Sequence, residues 1–161
     1  MEPELLVLLA AAAAAIALAM RARRRAGHWP AVTAGAVTLF CGALTAGMIA
    51  LHLAAILGGA LAGEGHGGAP SFVYDFDFYA LVLLGVVILV PALVCVAQAP
   101  RLTTGDPHAW RRAGWSNLAL VAVNAPLAPI QGSAYLLGGL ALVGLVALWL
   151  ARRSFRESRN L

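Results

Sequence analysis

Long apolar blocks, broken only by short polar segments, leave this chain few ways to fold. Residues 5–20, 31–62 and 78–98 carry no Asp, Glu, Lys or Arg. Blocks of about 18 or more apolar residues read as membrane-spanning helices. Composition agrees: 61% of the 161 residues are hydrophobic and 11% charged, against about 45–50% and 25% in ordinary globular chains.

The eleven basic residues are all arginine and fall in three groups. These are Arg21, Arg23, Arg24 and Arg25; Arg101, Arg111 and Arg112; and Arg152, Arg153, Arg156 and Arg159. Each group abuts the end of an apolar block, while Glu2, Glu4, Glu64, Asp75 and Asp77 mark the opposite ends. The positive-inside rule then places the arginine ends in the cytoplasm. A net charge of +4 placed this way points to a lipid bilayer and not to nucleic acid. Arginine without lysine, with abundant Ala, Gly and Leu, fits a GC-rich bacterial coding bias. The expected location is the bacterial cytoplasmic (inner) membrane, with the N-terminus outside and the C-terminus in the cytoplasm.

The fold class expected is an all-α integral membrane protein, a multi-pass bundle of about five helices in a single domain. The expected spans are 5–20, 31–62, 78–98, 115–130 and 133–151. The first is not read as a cleaved signal, because acids precede it and arginines follow. Its run Ala10–Ala15 gives a smooth surface suited to close packing. The second, at 32 residues, measures about 48 Å as a helix, beyond a hydrocarbon core of about 30 Å. It must tilt, protrude or end early, with Gly58 and Gly59 as weak points. Residues 63–77 read as an external loop with an interfacial aromatic strip, and Asp77 as the N-cap of the next helix. Pro91 should kink that helix and Pro100 should stop it. Residues 101–114 read as a cytoplasmic loop turning at Gly105, Asp106 and Pro107. Both flanks of 115–151 carry arginines, so an even number of crossings lies between them. Two short helices with a tight external turn are the simplest solution. A re-entrant segment near 115–131, giving four spans in all, is the alternative.

Three constellations could carry chemistry. Cys41, Thr45, Met48 and His52 lie at i, i+4, i+7 and i+11, on one helix face. Met48 and His52 are candidate cofactor-binding residues, since an intramembrane ionisable group is a functional-site candidate and histidine can ligate haem. The alternative is that His52 hydrogen-bonds a neighbouring helix. No cofactor is predicted outright; haem or quinone is the class His52 admits. Secondly, Ala46, Ala50, Ala54 and Gly58 form a small-residue seam at i, i+4, i+8 and i+12, suited to close helix contact. Thirdly, Asn124 and Gln131, with Pro126 and Pro129, form a candidate polar intramembrane site, because the prolines free the carbonyls of Ala122 and Ala125.

The external residues Glu64, His66, Asp75 and Asp77 match no defined cation loop, and no metal site is predicted. Cys41 and Cys95 lie inside apolar blocks and read as small buried hydrophobes. No GxSxG, HExxH or phosphate-binding motif occurs, so no catalytic residue is assigned and an enzyme is disfavoured. The function expected is a non-catalytic subunit or accessory factor of a larger bacterial membrane complex, respiratory or photosynthetic. Its partners would be other membrane subunits or further copies of itself. The alternatives are a small redox subunit binding haem or quinone at His52, and a small-solute transporter.

Overall fold

The computed structural model describes residues 2–24, 29–62, 76–127 and 132–152. Five helices follow in chain order: α1 (Pro3–Arg23), α2 (Trp29–Ala62), α3 (Phe76–Leu102), α4 (Pro107–Leu127) and α5 (Gly132–Leu150). Three are long and apolar enough to cross a membrane, over Pro3–Arg23, Trp29–Gly59 and Tyr79–Leu102. A shorter apolar stretch, Ala134–Leu150, lies in α5. Helices α2, α3, α4 and α5 pack in a closed ring, each against the next and α5 back against α2, while α1 lies against α2.

The ring is built on repeats of seven. In α3 the buried positions include Gly85, Ile88, Ala92, Cys95, Ala99 and Leu102, and in α5 Ala134, Leu137, Ala141, Gly144 and Leu148, continued by Ala151 just past its end. Both series alternate steps of three and four, the spacing that keeps one seam turned toward a bundle axis. Along α2 the same rhythm runs through Ala31, Ala34, Thr38, Cys41 and Thr45, all buried. Two core clusters result. Ala31, Ala34, Leu102, Ala109, Ala113, Leu148 and Ala151 fill the end that carries the arginines. Ile49, Ile88, Ala92, Leu120, Leu137 and Ala141 fill the other half.

Glycine sets the closest approach. A Cβ on Gly35 would lie 2.9 Å from the Ala99 carbonyl oxygen, and one on Gly42 would lie 2.9 Å from Cys95 Cβ and 3.0 Å from the Ala92 carbonyl oxygen. Because two of these neighbours are backbone, no rotamer change relieves the clash. Helix α1 joins through Val7, whose side chain occupies the space a Gly47 Cβ would need, and through buried Ala11 and Ala15.

Helix ends depart from the expected boundaries. Helix α3 begins at Phe76, so Asp77 lies within its first turn and does not cap it. It then runs through both Pro91 and Pro100 to Leu102. A proline removes one hydrogen bond, but the surrounding turns can carry the helix past it. The stop comes at Gly105, whose φ of 79° is the left-handed conformation of a helix C-terminus. Its N–H bonds the Leu102 carbonyl at 3.0 Å and the Asp106 N–H bonds the Arg101 carbonyl at 3.3 Å, a Schellman motif. Asp106 then starts α4: its Oδ1 accepts the His108 N–H at 2.8 Å, and Pro107 takes the first helical position. The expected loop 101–114 is therefore a four-residue corner, and α4 starts at Pro107 and not at 115. His108 sits in the first turn of α4. Residues 1, 25–28, 63–75, 128–131 and 153–161 lie outside the described residues, and with them Gln131, Pro129, Glu64, His66 and Asp75.

The few buried polar side chains sit inside the bundle, and large apolar ones cover its outside. Thr38, Thr45, Asn117 and Asn124 are each 1% exposed, whereas Leu83, Leu118, Leu136, Leu142 and Leu150 face outward. Trp110 donates its indole N–H to the Leu148 carbonyl at 2.9 Å, satisfying one of the orphan carbonyls at the end of α5. At the same end the guanidinium of Arg23 lies 5.6 Å over Trp29 and that of Arg152 lies 5.0 Å over Trp149.

Gly42→Leu should cost about 1–3 kcal/mol or more through overpacking against α3. Thr45→Val should be tolerated or stabilise by up to about 1 kcal/mol, because Thr45 Oγ1 is buried without a hydrogen-bond partner among the described residues and valine removes an unmet polar group. Thermal unfolding in detergent checks both; the opposite order of stabilities contradicts the packing.

Candidate functional site

A cleft of about 110 Å³ opens among α2, α3, α4 and α5, in the half of the bundle away from the arginines. Its α2 wall is Met48, Ile49, His52, Leu53 and Ile56, and its α3 wall is Leu81, Leu84, Gly85 and Ile88. Asn124 and Leu127 come from α4, and Ala134, Leu136 and Leu137 from α5. His52 and Asn124 are the two polar side chains in an otherwise apolar lining, the pattern of a site for a small lipophilic ligand.

The helical repeat puts His52 there. Four residues after Met48, its ring folds back so that Nδ1 lies 3.1 Å from the Met48 carbonyl oxygen. A carbonyl only accepts, so Nδ1 carries the hydrogen. In the neutral ring Nε2 then holds a lone pair, and it has no partner among the described residues. Backbone anchoring of one ring nitrogen is also how ligating histidines are oriented. Asn124 is held in the same way: Nδ2 donates to the Leu120 carbonyl at 2.8 Å, which leaves Oδ1 without a partner among the described residues. The helix itself thus turns each side chain so that an acceptor atom is left over.

Two constellations that are separate in the sequence therefore meet in one cleft. Met48 and His52 from α2 and Asn124 from α4 share it, while Cys41 and Thr45, lower on the same α2 face, are buried in the bundle. The seam behaves differently. Ala46 packs partly against the core, but Ala50, Ala54 and Gly58 are exposed, and a Cβ on Gly58 would meet nothing within 4 Å. Within the chain, close helix contact falls on Gly35, Gly42 and Gly47 instead. Asn117 is a further polar core residue, one heptad before Asn124. Its Nδ2 bonds the Ala113 carbonyl at 2.9 Å, and its Oδ1 lies 2.6 Å from where a Gly144 Cβ would stand. The seven-residue spacing from Asn124 was the signal for it. Among the described residues no group of three or more His, Cys, Asp or Glu could hold a metal ion.

No protein-family model matches the chain, and no curated protein and no solved structure matches it either.

The anchored imidazole has a spectroscopic consequence. Nitrogen NMR of the neutral His52 ring should show Nδ1 protonated and Nε2 bare, the reverse of the tautomer usually favoured by free imidazole side chains. A bare Nδ1 would contradict the bond to Met48.

Proposed function

We propose that this chain is a five-span integral protein of a bacterial cytoplasmic membrane and serves as a non-catalytic helical subunit or accessory factor of a larger membrane assembly, such as a respiratory or photosynthetic complex. The N-terminus lies outside and the C-terminus in the cytoplasm. The observation that carries the subunit reading is the uncovered seam: Ala50, Ala54 and Gly58 stay exposed on a helix whose Gly35 and Gly42 lie against α3 and whose Gly47 lies against α1. A flat small-residue surface gains little from lipid and much from a facing backbone. For α4 and α5 as spans, the support is their side-chain distribution. Asn117 and Asn124 turn inward, and Leu118, Leu136, Leu142 and Val146 turn outward, which suits a lipid surroundings.

Two tests follow. With both native cysteines replaced, Thr104→Cys should be labelled only after permeabilisation and Gly67→Cys in intact cells; labelling of Thr104→Cys from outside contradicts the topology. Ala50→Leu and Ala54→Leu should weaken co-purification of partner subunits or self-association, while Ala119→Leu on an exposed face of α4 should be silent. Equal tolerance at all three positions removes the subunit reading.

The second reading is a small redox subunit with its ligand at His52. It draws on the cleft that holds His52, Met48 and Asn124 together. A volume of about 110 Å³ suits a quinone-type headgroup better than a haem macrocycle. The transporter reading draws on the Asn124–Gln131 segment, of which 128–131 lie outside the described residues, and has no comparable support.

A further inference from the structure

We propose that the cleft selects lipid-soluble molecules that carry a hydroxyl group, hydroquinones or alkylphenols, over otherwise identical molecules that lack the O–H. The inference rests on the second reading above, a ligand site at His52, and names the chemistry of its ligand.

His52 has spent its N–H on the Met48 carbonyl, so in the neutral ring Nε2 can only accept. Asn124 has spent one N–H on the Leu120 carbonyl, and its Oδ1 can only accept. One Asn124 N–H remains. The polar residues that line the cleft thus offer two acceptors and a single donor among Leu and Ile side chains. Asn124 is 1% exposed, but its Oδ1 is not sealed off as the Thr38, Thr45 and Gln98 oxygens are, so a ligand can reach it; a ligand that displaces water there without donating a hydrogen leaves the acceptor unmet, and an O–H does not. A hydroxyl donates to Nε2 or Oδ1 and can accept the remaining Asn124 N–H. A quinone carbonyl or a methyl ether offers no hydrogen and leaves both acceptors unmet. The apolar body of the ligand lies along Leu53, Leu84 and Leu137 in either case, so the wall does not discriminate.

Para-heptylphenol and its methyl ether isolate the O–H without redox chemistry. The full chain is reconstituted in nanodiscs and binding is measured by equilibrium dialysis, with protein-free nanodiscs of the same lipid correcting for partition into the bilayer. His52 is exposed at the cleft, and retained thermal stability shows that the variant folds. The phenol should bind the wild type about three- to tenfold more tightly than the ether, the range of one or two neutral hydrogen bonds. His52→Phe should lose most of that preference, and His52→Gln should keep part of it, since its amide oxygen still accepts. Equal binding of phenol and ether, no binding of either, or an undiminished preference in a folded His52→Phe variant each overturns the proposal. The seam substitutions and the labelling pattern do not touch this cleft, so failure here leaves the subunit reading and the topology standing, and their failure leaves this measurement interpretable. Loss of saturable binding altogether, for phenol and ether alike, removes the second reading together with the proposal.

Discussion

The close approach of α2 to α3 is the contact on which the rest of the bundle depends. Gly35 and Gly42 lie seven residues apart on one face of α2, and each removes a Cβ that would collide with an α3 carbonyl. Between helices surrounded by lipid, van der Waals contact replaces the hydrophobic effect as the driving force. It falls away steeply with separation, so a side chain at either glycine would push apart the whole pair. With α2 and α3 held together, the corner at Gly105 and Asp106 swings α4 directly onto α3, and α5 closes the ring against α2.

Closing the ring has a cost, which the cleft reveals. The inward faces carry Thr38, Thr45, Gln98, Asn117 and Asn124, and the side-chain oxygens of Thr38, Thr45 and Gln98 are buried without a partner among the described residues. The two asparagines meet the cost halfway by bonding the carbonyl one turn back. Gly144 gives the Asn117 carboxamide room, whereas Asn124 opens onto the cleft. Polar groups half satisfied by their own helix, in a space bounded by leucine and isoleucine, are what a lipophilic ligand with one polar end requires.

Much of this was legible in the residues, and the exceptions have physical causes. Helix existence followed from block length, and all five expected helices appear, most boundaries shifting by a few residues. The start of α4 was missed by eight residues because Arg111 and Arg112 read as loop, although the Asp106–Pro107 pair is a helix start in its own right. That Cys41, Thr45, Met48 and His52 share a face follows from the helical repeat alone. That Met48 and His52 meet Asn124 does not, since it depends on where α4 lands. The small-residue seam shows the limit most clearly. In a chain this rich in Ala and Gly, spacing cannot tell Gly35 and Gly42, which lie against α3, from Ala50 and Ala54, which are exposed. Only the facing helix decides.

The most direct measurement of the α2–α3 contact compares two glycines of α2 whose surroundings differ. A Cβ at Gly42 would lie 3.0 Å from the Ala92 carbonyl oxygen of α3, whereas one at Gly58 would meet nothing within 4 Å. Gly42→Ala should therefore lower the thermal unfolding temperature in detergent, while Gly58→Ala, which replaces glycine by a better helix former, should keep or raise it. A Gly42→Ala variant as stable as Gly58→Ala would contradict the arrangement of α2 and α3 on which the bundle and its cleft are built.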